Sequence, residues 1–207
     1  MSRIETPWGV WEAAPLSEAE KLFAGLRVPW WVAGGHAVEL AVRQATGAVL
    51  DYREHADLDI GVLRRDHLAV RELLADWDCQ VAEPPGTLRP WVRGEPLPDG
   101  AHDVWVREHP EGPWRIQVMI EDSDGDEWVY RRDPRVRRPL GTLTIADDGP
   151  PRLSPEVQLL YKAKCPRPKD EIDLARVLPL LSVLQRRWLA RALRTEHGSH
   201  PWCALLD

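Results

Sequence analysis

No apolar run in the 207 residues approaches the ~18 that a membrane span requires, so no membrane partner is expected. Residues 1–11 lack the charged-then-apolar pattern of a secretory signal, which makes a cytoplasmic location the expectation. Cysteine is scarce: Cys79, Cys165 and Cys203 lie far apart and form no CxxC pair or zinc-ligand spacing, so they read as reduced thiols. An excess of positive charge is also missing. The net charge of −6 excludes a general nucleic-acid binder, although a local basic pocket for a phosphate is compatible with it. Lysine is rare as well. Three of the four lysines (Lys162, Lys164 and Lys169) fall in one short stretch, where they read either as a phosphate site or as a solvated helix end. There is no internal repeat and no low-complexity segment.

What is present reads as α+β. Ser17-Glu18-Ala19-Glu20 has the form of a capping box opening a short helix to Leu26. Pro29 to Ala33 is a short apolar run, read as a buried strand and ended by Gly34-Gly35. Helical spacing of Ala37, Leu40, Ala41 and Ala45 follows, up to Gly47. From Arg53 to Val62 the period changes to two: Arg53, His55, Asp57 and Asp59 share one face of a predicted strand, and Ala56, Leu58 and Ile60 the other. A helix from Asp66 to about Ala75 and a strand at Cys79–Ala82 come next. Residues 84–100, rich in Pro and Gly, read as a loop. Residues 102–108 and 114–121 form a predicted hairpin around a five-residue turn. At Ser154-Pro155-Glu156 the pattern becomes helical, with helices expected over 155–163, 170–178 and 183–195. The expected organisation is a small mixed β-sheet core with helices over 1–150 and a C-terminal helical region over 151–207.

The chemistry-bearing unit is an order of pieces: strand, Gly34-Gly35, helix, then a strand carrying Asp57-Leu58-Asp59. Carboxylates at i and i+2 on a strand point the same way and together suit one or two hard cations. Paired like charges resist burial unless a cation offsets them. Mg²⁺ takes a few carboxylates plus phosphate oxygens. The glycine turn brings backbone N–H groups to a helix start, a natural anion site. Either motif alone is common; the two together, one helix apart, are specific.

Val32-Ala33-Gly34-Gly35-His36-Ala37 followed by Arg53-Glu54-His55-Ala56-Asp57-Leu58-Asp59-Ile60-Gly61-Val62 resembles the polymerase-beta-like nucleotidyltransferase superfamily, in particular its aminoglycoside and lincosamide nucleotidyltransferase-like branch. The similarity is good over 28–77 and looser over 100–140. It implies transfer of a nucleoside monophosphate, AMP first, from an NTP to a hydroxyl of a small molecule such as an aminoglycoside-like antibiotic, with release of pyrophosphate. It also implies one or two Mg²⁺ ions at Asp57 and Asp59, and a nucleotide site at Gly34, Gly35, His36, Arg53 and Lys162.

The sequence departs from the superfamily pattern at two places. His36 stands where serine often follows the glycine pair. Gln117 stands where the superfamily usually has a third carboxylate; glutamine takes no proton and is a poor magnesium ligand. Asp103, expected across the hairpin from Met119 and on the Gln117 face, is the favoured replacement; Glu121 is on that face too, two pairs along. If no carboxylate replaces it, the alternative is a catalytically degenerate protein of the same fold that binds a nucleotide or a protein partner, for example a toxin–antitoxin component. A metal-dependent glycosyltransferase fits the Gly-Gly turn less well. His55 reads as a base or as a structural partner of the aspartates, Asp170 and Asp173 as helix-stabilising residues, and Trp91 and Trp128 as acceptor contacts or core.

Overall fold

The computed structural model describes residues 3–47, 55–83 and 86–206. It is α+β, and the chain gathers into two compact units, one of residues 1–36 and 52–123, the other of 37–51 and 124–207.

The first unit opens with a hairpin of β1 (Arg3–Thr6) and β2 (Gly9–Glu12), followed by α1 (Leu16–Phe23). Pro15, not Ser17, occupies the α1 N-cap, so the expected capping box does not form. Its sheet is built from β3 (Trp30–Val32), β4 (Asp59–Leu63), β5 (Asp78–Glu83), β6 (Thr87–Pro90), β7 (Asp103–Arg107) and β8 (Ile116–Asp124). The order is β3-β4-β8-β7-β5-β6, with β4 and β8 parallel and the other neighbours antiparallel. α2 (Gly34–Thr46) leaves the end of β3, and α3 (His67–Leu73) joins β4 to β5. β6 lies inside the stretch read as a loop. It comes last in this order, where Pro90, which cannot donate to a ladder, is tolerated.

Alternation decides the two faces. Ile60, Val62, Val81, Val104, Val106, Val118 and Ile120 are fully buried on one face. Each contributes about 1.5–3 kcal/mol relative to exposure. The other face carries Asp59, Gly61, Asp103, Trp105, Gln117 and Met119. The N-terminal hairpin is tied to the segment that enters β8: the N–H of Glu12 donates to Trp114 O at 2.9 Å and the N–H of Trp114 to Val10 O at 2.7 Å. Trp8, Trp11 and Trp114 surround Trp105 with ring centroids 5.0–5.8 Å away.

The second unit contains the body of α2, a hairpin of β9 (Glu127–Val129) and β10 (Arg137–Pro139), and the two-residue pair β11 (Thr144–Ile145) and β12 (Arg152–Leu153). Four helices follow: α4 (Pro155–Ala163), α5 (Pro168–Val177), α6 (Val183–His197) and α7 (Cys203–Leu206). Pro155 starts α4 as the sequence predicts. α4 packs on α5 and α6, burying Leu159, Leu160, Leu189 and Leu193. Trp128 is fully buried here, and Trp91 is 2% exposed in the first unit, so both are core residues.

Candidate functional site

β3 ends at Val32, and the chain turns through Ala33 and Gly34 into α2. The Ala33 N–H donates to Asp59 O at 2.9 Å, which adds one rung to the β3–β4 ladder and sets the glycine turn beside the start of β4. Gly34 is buried, with φ at +63°. A Cβ there would stand 1.9 Å from Asp59 Oδ2 and 2.8 Å from its Cγ. Two independent reasons therefore demand glycine: a left-handed backbone and a carboxylate in the space a side chain would take. Gly35 and His36 continue the first turn of α2, which holds no acidic residue. Its first N–H groups lack intrahelical acceptors and carry the positive end of the helix dipole.

Leu58 is fully buried and anchors the aspartate pair. Its carbonyl accepts from the Gln117 N–H at 2.9 Å, which carries the β4–β8 ladder one residue beyond β4. Asp57 is exposed and Asp59 half-buried, so the carboxylates flank the anchor on the side away from the core. The regular strand begins only at Asp59; Asp57 lies in the irregular approach to it, shorter than the predicted strand from Arg53. Arg53 itself lies outside the described residues.

Across the sheet, Asp59 is paired with Gln117, and Asp103 is paired with Met119, the register expected from the turn length. Gln117 Nε2 donates to Asp103 Oδ1 at 3.0 Å. Three adjacent strands thus set Asp59, Gln117 and Asp103 in a row, with the glutamine amide as the link between two carboxylates. Glu121 is 1% exposed and sits opposite Leu63, four pairs beyond Asp59 and Gln117. The His36 and His55 rings lie 3.9 Å apart between centroids at 33°, which brings the segment before Asp57 against the first turn of α2. Glu39 follows His36 by one turn on the same helix.

Gly61 is a contributor that sequence reasoning passed over. It is paired with Trp31, and a Cβ on it would stand 2.1 Å from Trp31 Nε1. The indole therefore occupies the space that a side chain on Gly61 would take. A lone glycine inside a strand pattern is the signal for such a close approach.

Lys162 has a different environment. In the second unit its ammonium is 7% exposed and bridges Asp170 at 3.1 Å and Asp173 at 2.9 Å, both buried. Burial pushes the Asp170 carboxyl up, but hydrogen bonds from Arg167 and the charge of Lys162 outweigh this and hold it well below the usual carboxylate range. Asp170 also accepts the Arg167 backbone N–H at 3.0 Å, capping α5. The lysine expected at a phosphate thus has its charge balanced by two carboxylates.

The donor set at Asp57 and Asp59 is all oxygen, and one carboxylate is pressed against a glycine turn that a side chain would fill. That combination suits a hard divalent cation next to an anion held by backbone N–H groups. No protein-family model and no curated protein matches the chain in sequence. Among solved structures it is similar to that of ANT(2")-Ia, an aminoglycoside 2"-nucleotidyltransferase, in complex with adenylyl-2"-tobramycin. The TM-score is 0.51 at 11% identity, over 86% of this chain and 94% of that one. With its mixed sheet, its glycine turn against Asp59 and its C-terminal helices, the chain has an aminoglycoside nucleotidyltransferase-like α+β fold.

Proposed function

We propose that this chain is a nucleotidyltransferase that moves a nucleoside monophosphate, AMP first, from an NTP to a hydroxyl of a small molecule, with aminoglycoside-like polyols as the first acceptor class to test. The observation that supports this reading is the closeness of Gly34 and Asp59, a helix start that suits an anion beside a carboxylate that suits a cation. Asp57 and Asp59 hold one or two Mg²⁺ ions, which supply charge neutralisation at the triphosphate when bound. The N–H groups of Gly34, Gly35 and His36 hold phosphate oxygens, and Arg53 supplies a guanidinium to them. Asp103, oriented by the Gln117 amide, accepts the proton of the acceptor hydroxyl. That hydroxyl oxygen bonds to the α-phosphorus, the bond from this phosphorus to the bridging oxygen breaks, and pyrophosphate leaves. Lys162 serves as the structural cation joining α4 to α5.

The acceptor class is supported by the solved neighbour, whose complex contains adenylyl-2"-tobramycin. Incubating the protein with ATP, Mg²⁺ and a panel of polyols including tobramycin should release pyrophosphate and add one AMP mass to an acceptor. A folded protein that binds no NTP and releases no pyrophosphate would overturn the reading. The specific observation for a second reading is Gln117 beside Asp59, where the fold's usual third carboxylate is absent. Magnesium-dependent nucleotide binding without turnover on any acceptor would favour that reading, a nucleotide- or partner-binding module.

A further inference from the structure

Trp31 is 2% exposed and lies on β3 opposite Gly61 of β4. A Cβ on Gly61 would stand 2.1 Å from Trp31 Nε1, 2.4 Å from Cε2 and 2.8 Å from Cδ1. The N–H edge of the indole thus fills the place of the missing side chain. The Gly61 backbone does not have the positive φ of Gly34, so the indole, and not the path of the chain, requires glycine here. Side chains alternate along a strand, which puts this N–H on the sheet face that carries Asp59.

A buried indole N–H ordinarily finds an acceptor. Those of Trp91, Trp114 and Trp202, each 1–2% exposed, donate to Glu95 O at 2.8 Å, to Trp8 O at 2.8 Å and to the Glu171 carboxylate at 3.0 Å. Among the described residues none accepts from the Trp31 N–H, and its nitrogen is not sealed from solvent. Distance decides which ligand it faces. Two residues along β4 separate it from Asp59, about 7 Å. Asp103 lies two strands away, beyond Met119, at about 10 Å. Groups bound at Asp59 are the nearer.

We propose, resting on the transferase reading above, that the Trp31 indole N–H donates to a phosphate oxygen of the Mg²⁺-bound nucleotide. Indole N–H is a donor only, so it positions an anionic oxygen without competing with the carboxylates for the cation. It adds a side-chain donor to the backbone N–H groups of Gly34, Gly35 and His36. Gly61 belongs to the same arrangement, because any side chain there would displace the N–H edge.

The test is nuclear magnetic resonance of the full chain, isotope-labelled at the tryptophan nitrogens, with Mg²⁺ and a non-hydrolysable ATP analogue. The Trp31 indole resonance, identified by its loss in Trp31→Phe, should move downfield when nucleotide and Mg²⁺ are added together. Trp31→Phe keeps a ring without the N–H. It should weaken Mg²⁺-dependent binding in calorimetry about tenfold, the effect of one hydrogen bond to a charged group. Trp91→Phe removes an indole N–H whose acceptor is Glu95 O. It should lower the melting temperature but change nucleotide affinity by less than about threefold. Wild type that binds no NTP would sink the transferase reading and this contact with it. Nucleotide binding with a stationary Trp31 resonance, or with equal affinity in folded Trp31→Phe, would overturn the contact alone.

Discussion

Gly34 and Asp59 sit so close that no side chain fits between them: a Cβ on Gly34 would stand 1.9 Å from the Asp59 carboxylate. Gly34 opens α2 just after β3, Asp59 opens β4, and the Ala33 N–H donates to Asp59 O between them. The turn proposed to hold phosphate and the carboxylate proposed to hold Mg²⁺ are therefore parts of one local feature.

Replacing Gly34 tests this feature. Gly34→Ala must pay for a positive φ, about 1–2 kcal/mol, and must also displace the Asp59 carboxylate. Gly47 has a similar φ of +69° but, among the described residues, nothing within 4 Å of a Cβ, so Gly47→Ala should carry mainly the backbone cost. Urea unfolding should show the larger loss for Gly34→Ala, and only that variant should lose Mg²⁺-dependent nucleotide binding.

Asp103 is the proposed proton acceptor. Asp103→Asn keeps a side chain of the same shape, so the fold should survive. Its turnover should fall about 10²–10⁴-fold, the range for a lost general base. Gln117→Leu removes the amide that orients Asp103 and should lower kcat with a smaller effect on nucleotide affinity, read from steady-state kinetics.

The cluster around Lys162 is a stability element. Lys162→Met removes the buried cation shared by Asp170 and Asp173, leaving Arg167 on Asp170, and should destabilise the protein by about 3–5 kcal/mol. The folded state holds the Asp170 carboxyl below its ordinary value. Its contribution is therefore complete above about pH 4 and lost as pH falls through the depressed folded value. Asp170→Asn should remove that part of the acid sensitivity, measured as melting temperature against pH.

The three thiols differ in reactivity. Burial pushes the Cys79 thiol up to about 11, and Cys203 is buried, while Cys165 is exposed. A thiol reagent should titrate one cysteine in the native protein and three after denaturation.

Much of the geometry of the candidate site was legible because its signals are local. Gly34-Gly35 between an apolar run and a helical period marks a turn, and the alternation around Leu58 orients Asp57 and Asp59. The five-residue turn sets Asp103 against Met119. Other features depend on contacts distant in sequence. Trp31 reads as an apolar core residue, and only the β3–β4 register shows its indole across Gly61. The hairpin at residues 3–12 owes its place to Trp105 and Trp114, about a hundred residues away. Pro and Gly content hid β6, whose position at the end of the strand order tolerates Pro90. Lys162 carries no local sign that carboxylates eight and eleven residues further on engage its charge.

The most direct test of the central claim is calorimetric titration of a non-hydrolysable ATP analogue, with and without Mg²⁺, on wild type and on Asp57→Ala/Asp59→Ala. The account predicts Mg²⁺-dependent binding by wild type and none by the folded double variant. Binding that is unchanged in the variant, or no binding of any NTP by wild type, would contradict it.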